Sequence, residues 1–215
     1  MEKRRKAFKA VVLGCLLVSS VGLADPVPFG AVAPARLPAG STSLYGFVGA
    51  PELGAGFRQG LGPVEFNAEA AINYLDLSFA AVARLRFLAV DQPRWQLAPF
   101  GGLGFAYDSG SSYFNKDNFQ FTAVRLDVGA VATYPVRETL SLLATTELTW
   151  DLFTTPVKGY RAQPLVGAGA ELALGGGLSA FGLAAIGIDF RKLPTEWVDT
   201  EVGYSVRIGF AYRMF

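Results

Sequence analysis

The stretch Glu201–Phe215, EVGYSVRIGFAYRMF, decides the fold of this chain. Its odd positions up to Arg213 are charged, polar or small. Its even positions are all apolar: Val202, Tyr204, Val206, Ile208, Phe210, Tyr212 and Met214. Because successive side chains of a strand point to opposite faces, this pattern predicts a strand with one apolar wall and one polar wall.

The same alternation recurs through most of the chain. We predict ten strands, at residues 42–49, 52–59, 63–74, 77–90, 95–107, 119–134, 139–152, 163–174, 178–190 and 201–215. Several are longer than the roughly 5–6 residues of a soluble strand, and a tilted membrane strand needs about 9–11 residues in the hydrocarbon. The sequence therefore predicts an all-β fold: a closed antiparallel up-and-down transmembrane β-barrel of ten strands. Eight strands is the alternative, if the first pair, interrupted by Pro51, stays out of the barrel.

The chain start predicts export. Residues Met1–Ala24 have the basic beginning, apolar middle and small-residue end of a cleaved signal peptide. Residues 25–41 contain four prolines, which remove ladder donors, so we expect a Pro-rich periplasmic linker there. Residues 42–215 then form the barrel.

The predicted connections alternate in length, which is typical of outer-membrane barrels, with short periplasmic turns and longer external loops. The long connections are Asp108–Asn118, Phe153–Ala162 and Leu193–Thr200; the short ones are Asp91–Arg94, Pro135–Glu138 and Gly175–Gly177.

The composition argues against several functions. The chain has no His, and its one Cys, Cys15, lies in the predicted signal, so Ser–His catalysis and His/Cys metal sites are excluded. The chain carries 19 Lys and Arg against 18 Asp and Glu, and the signal takes several of the basic residues with it. The exported part is therefore mildly acidic, which disfavours nucleic acid as a partner. We expect a non-enzymatic protein without cofactor or metal.

Together these features resemble the small bacterial outer-membrane β-barrel proteins, over about residues 42–215. The most specific piece is the last strand, because Phe215 is similar to the terminal aromatic that the family's assembly machinery recognises; Arg213 stands where that family usually has a second aromatic. The resemblance implies a bacterial outer-membrane location, outer-membrane lipid around the barrel, and the barrel-assembly machinery and periplasmic chaperones as partners. It implies nothing about oligomeric state.

If the apolar faces point outward, thirteen charged side chains point into the lumen. They are Arg58, Glu65, Glu69, Arg84, Arg86, Arg125, Asp127, Glu147, Asp151, Glu171, Asp189, Arg207 and Arg213. A barrel of eight to ten strands has an interior little wider than its own side chains, so near-balanced charges should pair into a network. This predicts a structural or narrow-pore protein with a charge-paired lumen.

Two alternatives remain open. Loops 109–118 and 193–200 carry Tyr113, Phe114 and Trp197, which would suit a surface barrel that binds a ligand or another surface. Alternatively, the chain is a secreted soluble β protein with its apolar faces inside.

Overall fold

The computed structural model describes residues 30–113, 118–193 and 198–214. The predicted signal peptide, Phe114, Trp197 and the terminal Phe215 lie outside the described residues.

The described residues contain eleven β-strands, and every paired neighbour is antiparallel. The strands are β1 Thr42–Ala50, β2 Glu52–Gly60, β3 Val64–Asn73, β4 Ser78–Phe87, β5 Val90–Gln92, β6 Trp95–Ser109, β7 Gln120–Arg137, β8 Leu140–Thr155, β9 Gly159–Gly175, β10 Leu178–Lys192 and β11 Val198–Met214. β1 pairs with β11, and the sheet closes between β4 and β6. The short β5 pairs with β6 alone among the described strands, so the ring has ten strands and the prediction of a ten-stranded barrel is confirmed.

The two ends of the barrel differ. Thr42 pairs with Met214, so both ends of the barrel sequence meet at one rim, which we call the terminal end. The opposite rim, the loop end, carries the longest connection, residues 110–119. β1 and β2 form a hairpin that is paired from Val48 and Leu53 down to the terminal end, so both belong to the ring and the eight-strand alternative is wrong.

Several predicted connections were misplaced; among them, Leu193–Thr200 is too long, because β11 already begins at Val198. The expected long loop Phe153–Ala162 is wrong, because β8 continues to Thr155 and β9 begins at Gly159, leaving three residues between them. The predicted strand 77–90 ends at Phe87, and the chain then forms the short β5–β6 extension at the terminal end. The alternation of loop lengths is therefore weaker than the sequence suggested.

The apolar faces of the strands point outward. Ile186 and Ile208 are 65% and 61% exposed, while Arg58 and Glu65 are 2% and 0% exposed. The wall thus has an apolar outside and a charged inside, as the alternation predicted.

The segment expected to be a linker lies inside the barrel at the terminal end. Residues 30–41 form no strand, in keeping with their prolines, but Ala31, Ala33, Ala35 and Leu37 are buried. We call residues 30–37 the plug. Its main-chain groups lack a ladder partner, and buried main-chain groups must be hydrogen-bonded, so charged side chains of the wall bind them instead.

Candidate functional site: the charged lumen

The lumen charges form three layers along the barrel axis. The terminal layer contains Arg58, Glu65, Arg86, Glu171 and Arg213; the middle layer contains Glu52, Glu69, Arg84, Asp127, Glu147 and Arg207; the loop-end layer contains Arg125, Asp151, Arg161, Asp189 and Arg191. All thirteen charged residues predicted to face the lumen have their side chains there.

The terminal layer surrounds the plug. Arg58 on β2 donates two hydrogen bonds of 2.8 Å to the two carboxylate oxygens of Glu65 on β3. Arg86 lies 3.6 Å from the same carboxylate. Glu171 on β9 accepts hydrogen bonds from plug amides, and Arg213 donates to the carbonyl of Gly30 at 3.2 Å. This layer and the plug together fill the terminal end.

The middle layer crosses the lumen from β11 to β8. Arg207 contacts Glu52 at 2.9 Å and Glu69 at 3.1 Å. Arg84 lies 3.7 Å from the other oxygen of Glu69, binds Asp127, and lies 3.3 Å from Glu147. Four carboxylates thus share two guanidinium groups, and ion pairs link opposite sides of the barrel.

Two further side chains support this layer. The hydroxyl of Tyr45 donates to Glu69 at 2.7 Å. The guanidinium of Arg207 lies 4.6 Å from the ring centroid of Phe47, within cation–π range. These contacts fix the arginine and the carboxylate on the plug side of the layer.

The loop-end layer contains two bidentate pairs between neighbouring strands, and Arg191 adds a contact within β10. Arg125 contacts both oxygens of Asp151 at 2.7 Å. Arg161 contacts both oxygens of Asp189, at 2.5 Å for the closest, and Arg191 reaches the same carboxylate at 3.2 Å. Two parallel hydrogen bonds hold each guanidinium in a fixed plane.

Sequence reasoning missed several charged lumen residues, among them Glu52, Arg161, Arg191 and Glu201. Each has the strand parity of a predicted neighbour; Glu52, for example, is six residues before Arg58. Arg161 and Arg191 were missed because the predicted strands stopped short of them. Extending the period-two pattern to the ends of the observed strands would have found both.

The described residues line a cavity on each side of the middle layer. A vestibule of about 700 Å³ lies between the loop end and the middle layer, with Glu52, Glu147, Arg207 and Arg161 among its lining residues. A smaller cavity of about 110 Å³ lies between the middle layer and the plug. The ion pairs of the middle layer lie between these two spaces.

The described part of the predicted binding loop packs at the loop end. Tyr113 is 73% exposed, and its amide donates to the carbonyl of Leu75 at 2.9 Å. Ser112 donates to Asp76, which ties this loop to the turn between β3 and β4. Phe114 and Trp197, the other two predicted loop residues, lie outside the described residues.

No protein-family model and no curated protein matches this chain. Among solved structures, a chain from a study of de novo designed transmembrane β-barrels is similar, with 16% sequence identity and a TM-score of 0.35. That match covers 83% of this chain and 99% of the designed one. The closed ring of this chain is defined by its own strand pairing.

No helix in the described residues is long and apolar enough to cross a membrane. The same residues contain no group of three or more His, Cys, Asp or Glu side chains arranged to hold a metal ion.

Proposed function

We propose that this protein is a non-enzymatic integral barrel of the bacterial outer membrane, with a structural role and a lumen closed by its own plug and ion pairs. The observation that carries the proposal is the outer wall, which is apolar on every strand of the ring. Charged residues at outward positions of the described strands occur only at strand ends, as at Arg137 and Lys192. Such a surface is suited to lipid and costly in water.

The height of the outer wall supports a bilayer. Exposed aromatics lie near both rims: Trp95, Tyr134 and Tyr212 near the terminal end, and Tyr107, Trp150 and Tyr204 towards the loop end. On β7, the partner of Tyr107 is Thr122, about twelve residues from Tyr134, or roughly 30 Å along the axis for a strand tilted by about 40°. This separation is close to the thickness of the hydrocarbon core, about 30 Å.

The closed lumen supports a structural role over open passage. The plug occupies the terminal end, and the middle layer spans the barrel above it. An open pore would need both barriers to move. A narrow-pore role is therefore the second form of the proposal, and conductance separates the two.

The substitution Ile208→Lys tests membrane insertion. In a bilayer, a lysine at the middle of the outer wall should lower the free energy of unfolding by about 2–4 kcal/mol. On a water-exposed surface the same change should stay within about 0.5 kcal/mol. The measurement is urea unfolding of protein refolded into phosphatidylcholine vesicles, followed by tryptophan fluorescence.

Val198→Lys is the matched control, because Val198 lies on the same strand and is also exposed, but at the loop end. Val198→Lys should lower the free energy of unfolding by at most about 1 kcal/mol, since the penalty for a lysine on the lipid-facing surface falls towards the membrane–water interface. Equal, near-zero costs for both variants, or failure of the wild type to float with vesicles in a density gradient, would contradict membrane insertion.

Ligand recognition at the loop end is a second candidate. It is favoured by the vestibule of about 700 Å³ and by the exposed side chain of Tyr113, whose amide donates to the carbonyl of Leu75 in the vestibule wall. Screening the refolded protein against immobilised glycans should then give a signal that Tyr113→Ala removes. If the wild type gave no binding signal, ligand recognition at the loop end would be contradicted, and the structural role would be the function that remains.

A further inference from the structure

The lumen wall holds the plug through the main chain of the plug. Glu171 accepts hydrogen bonds from three consecutive amides: Ala31 at 2.8 Å, Val32 at 3.0 Å, and Ala33. A carboxylate that accepts consecutive amides recognises the shape of the backbone, whatever side chains it carries.

Arg58 binds the carbonyl side of the same segment. Its Nη1 donates to the carbonyls of Ala31 and Val32 at 3.0 and 2.6 Å, and its Nη2 donates to the carbonyl of Pro34 at 2.7 Å. Glu65, which also pairs with Arg58, accepts the amide of Leu37 at 2.6 Å. The plug backbone is thus held between an anionic and a cationic side chain of the wall.

The plug side chains enter small apolar pockets. Ala31 packs with Phe47, Phe181 and Ala211. In a second pocket, Ala33 packs with the side chains of Phe100, Val131 and Leu143. Both pockets hold a methyl group, so the site selects small side chains at these alternate positions.

The binding charges belong to the wall and are fixed there. Arg58 is paired with Glu65, and Glu171 also accepts a hydrogen bond from Ser179 on the neighbouring strand β10. The plug contributes one charged side chain, Arg36, which donates to the carbonyl of Gly62. When the plug leaves, Arg58 therefore keeps its partner and water can solvate Glu171.

We infer that the terminal end of the lumen is a peptide-binding site that recognises the main chain of a segment with small side chains, and that residues 30–37 are its displaceable intramolecular ligand. The site takes the same kind of peptide from outside the chain once the plug has left. This inference goes beyond the proposed function and rests on the barrel interior alone, not on membrane location.

The turn that joins the plug to β1 allows a test in the full chain. Pro38, Ala39 and Gly40 are exposed, and Gly40 adopts a positive φ of 81°. A protease-recognition sequence inserted between Ala39 and Gly40 can be cut after the protein has folded in detergent micelles. The cut separates the plug from the barrel without changing the wall.

The probe is a fluorescent synthetic peptide of residues 30–39, GAVAPARLPA. After cleavage and dilution, the plug fragment should leave, and the probe should bind the cut protein with a saturable change in anisotropy. The uncut protein should not bind it. An N-methyl group on Ala33 of the probe removes one donor to Glu171 and should weaken binding at least tenfold, because that hydrogen bond is to a charged group. N-methylation of Ala39, in the exposed turn, should change binding less than threefold.

A matched pair of wall variants tests the role of Glu171. Glu171→Gln in the cut protein should weaken probe binding at least tenfold, since an amide accepts hydrogen bonds more weakly than a carboxylate. Glu138→Gln removes a carboxylate at the same end of the barrel from an exposed turn and should leave binding unchanged. Far-UV circular dichroism of each variant checks that the barrel is folded.

Two results would overturn the inference. One is a cut fragment that leaves only at urea concentrations that unfold the barrel, which would make the plug a fixed part of the core. The other is probe binding that is insensitive to both N-methyl-Ala33 and Glu171→Gln. Neither result bears on vesicle flotation, so failure of this inference and failure of the proposed function can be told apart.

Discussion

At the scale of single residues, the interior is organised by arginines that contact carboxylates on neighbouring strands. Arg58 is an example: it is 2% exposed and contacts both oxygens of Glu65. A charge this deeply buried is stable only when its partner is present, because desolvation costs several kcal/mol per ion. Removing one residue of such an ion pair should therefore lower the free energy of unfolding by more than the intact pair contributes to it.

Arg58→Met should destabilise the barrel by about 3–5 kcal/mol, because it removes the nearer of the two guanidinium groups beside the buried Glu65 and frees three plug carbonyls. Urea unfolding in micelles measures the change. Arg94→Met, at an exposed turn of the same end, is the control and should stay within about 0.5 kcal/mol. Equal changes in the free energy of unfolding for the two variants would show that the buried pair contributes no more to stability than an exposed arginine does.

At the scale of elements, the plug and the extended strands β8 and β9 differ most from expectation. The prolines of the plug correctly indicated a segment without strand structure, but a proline pattern does not distinguish a solvated linker from a buried one. β8 and β9 continue past their predicted ends, and the extension brings Arg161 to Asp189 on β10. Both differences arise from partners that lie far away in the sequence.

Ala33→Phe tests the packing of the plug as an element. The pocket of Phe100, Val131 and Leu143 holds a methyl group, so a phenyl ring should cost about 1–3 kcal/mol through overpacking or should expel the plug. The readouts are urea unfolding and the rate of proteolysis within residues 30–41. Ala39→Phe, in the exposed turn, should affect neither, and equal proteolysis of the two variants would contradict the packing described here.

At the scale of the whole molecule, the barrel has two barriers in series, the plug and the middle layer. The middle layer lies between the vestibule and the smaller cavity. It contains four carboxylates and two guanidinium groups, so it carries more acidic than basic side chains. Ions crossing the barrel would have to displace fixed ion pairs. The structure therefore favours a closed barrel.

The refolded protein should show no steady current in planar lipid bilayers. The ion pairs of Arg84 and Arg207 close the middle of the barrel, so Glu147→Ala, which removes one partner of Arg84, should leave the current near zero while the plug is in place. A steady open state in the wild type, altered in size or ion selectivity by Glu147→Ala, would support the narrow-pore form of the proposal instead.

Much of the candidate site was accessible from the sequence. Within a strand, parity places Arg84 and Arg86 on one face and Leu85 on the other, and this needs no knowledge of neighbouring strands. The pairs themselves were not accessible, because Arg84 contacts Asp127, 43 residues away, only when β4, β6 and β7 pair in the observed register. Register and strand pairing decide such contacts, and neither is a local property.

The sequence by itself determined the all-β architecture and the division of each strand into an apolar face and a polar face, because a period of two residues is set by local backbone geometry. The strand pairing decided that the ring has ten strands, and the closed barrel decided that the apolar faces point outward. Only the tertiary structure decided where residues 30–41 lie and what they contact. Ala31 meets Glu171 across 140 positions of the chain, and that contact exists because the closed ring brings an unpaired backbone beside a buried carboxylate.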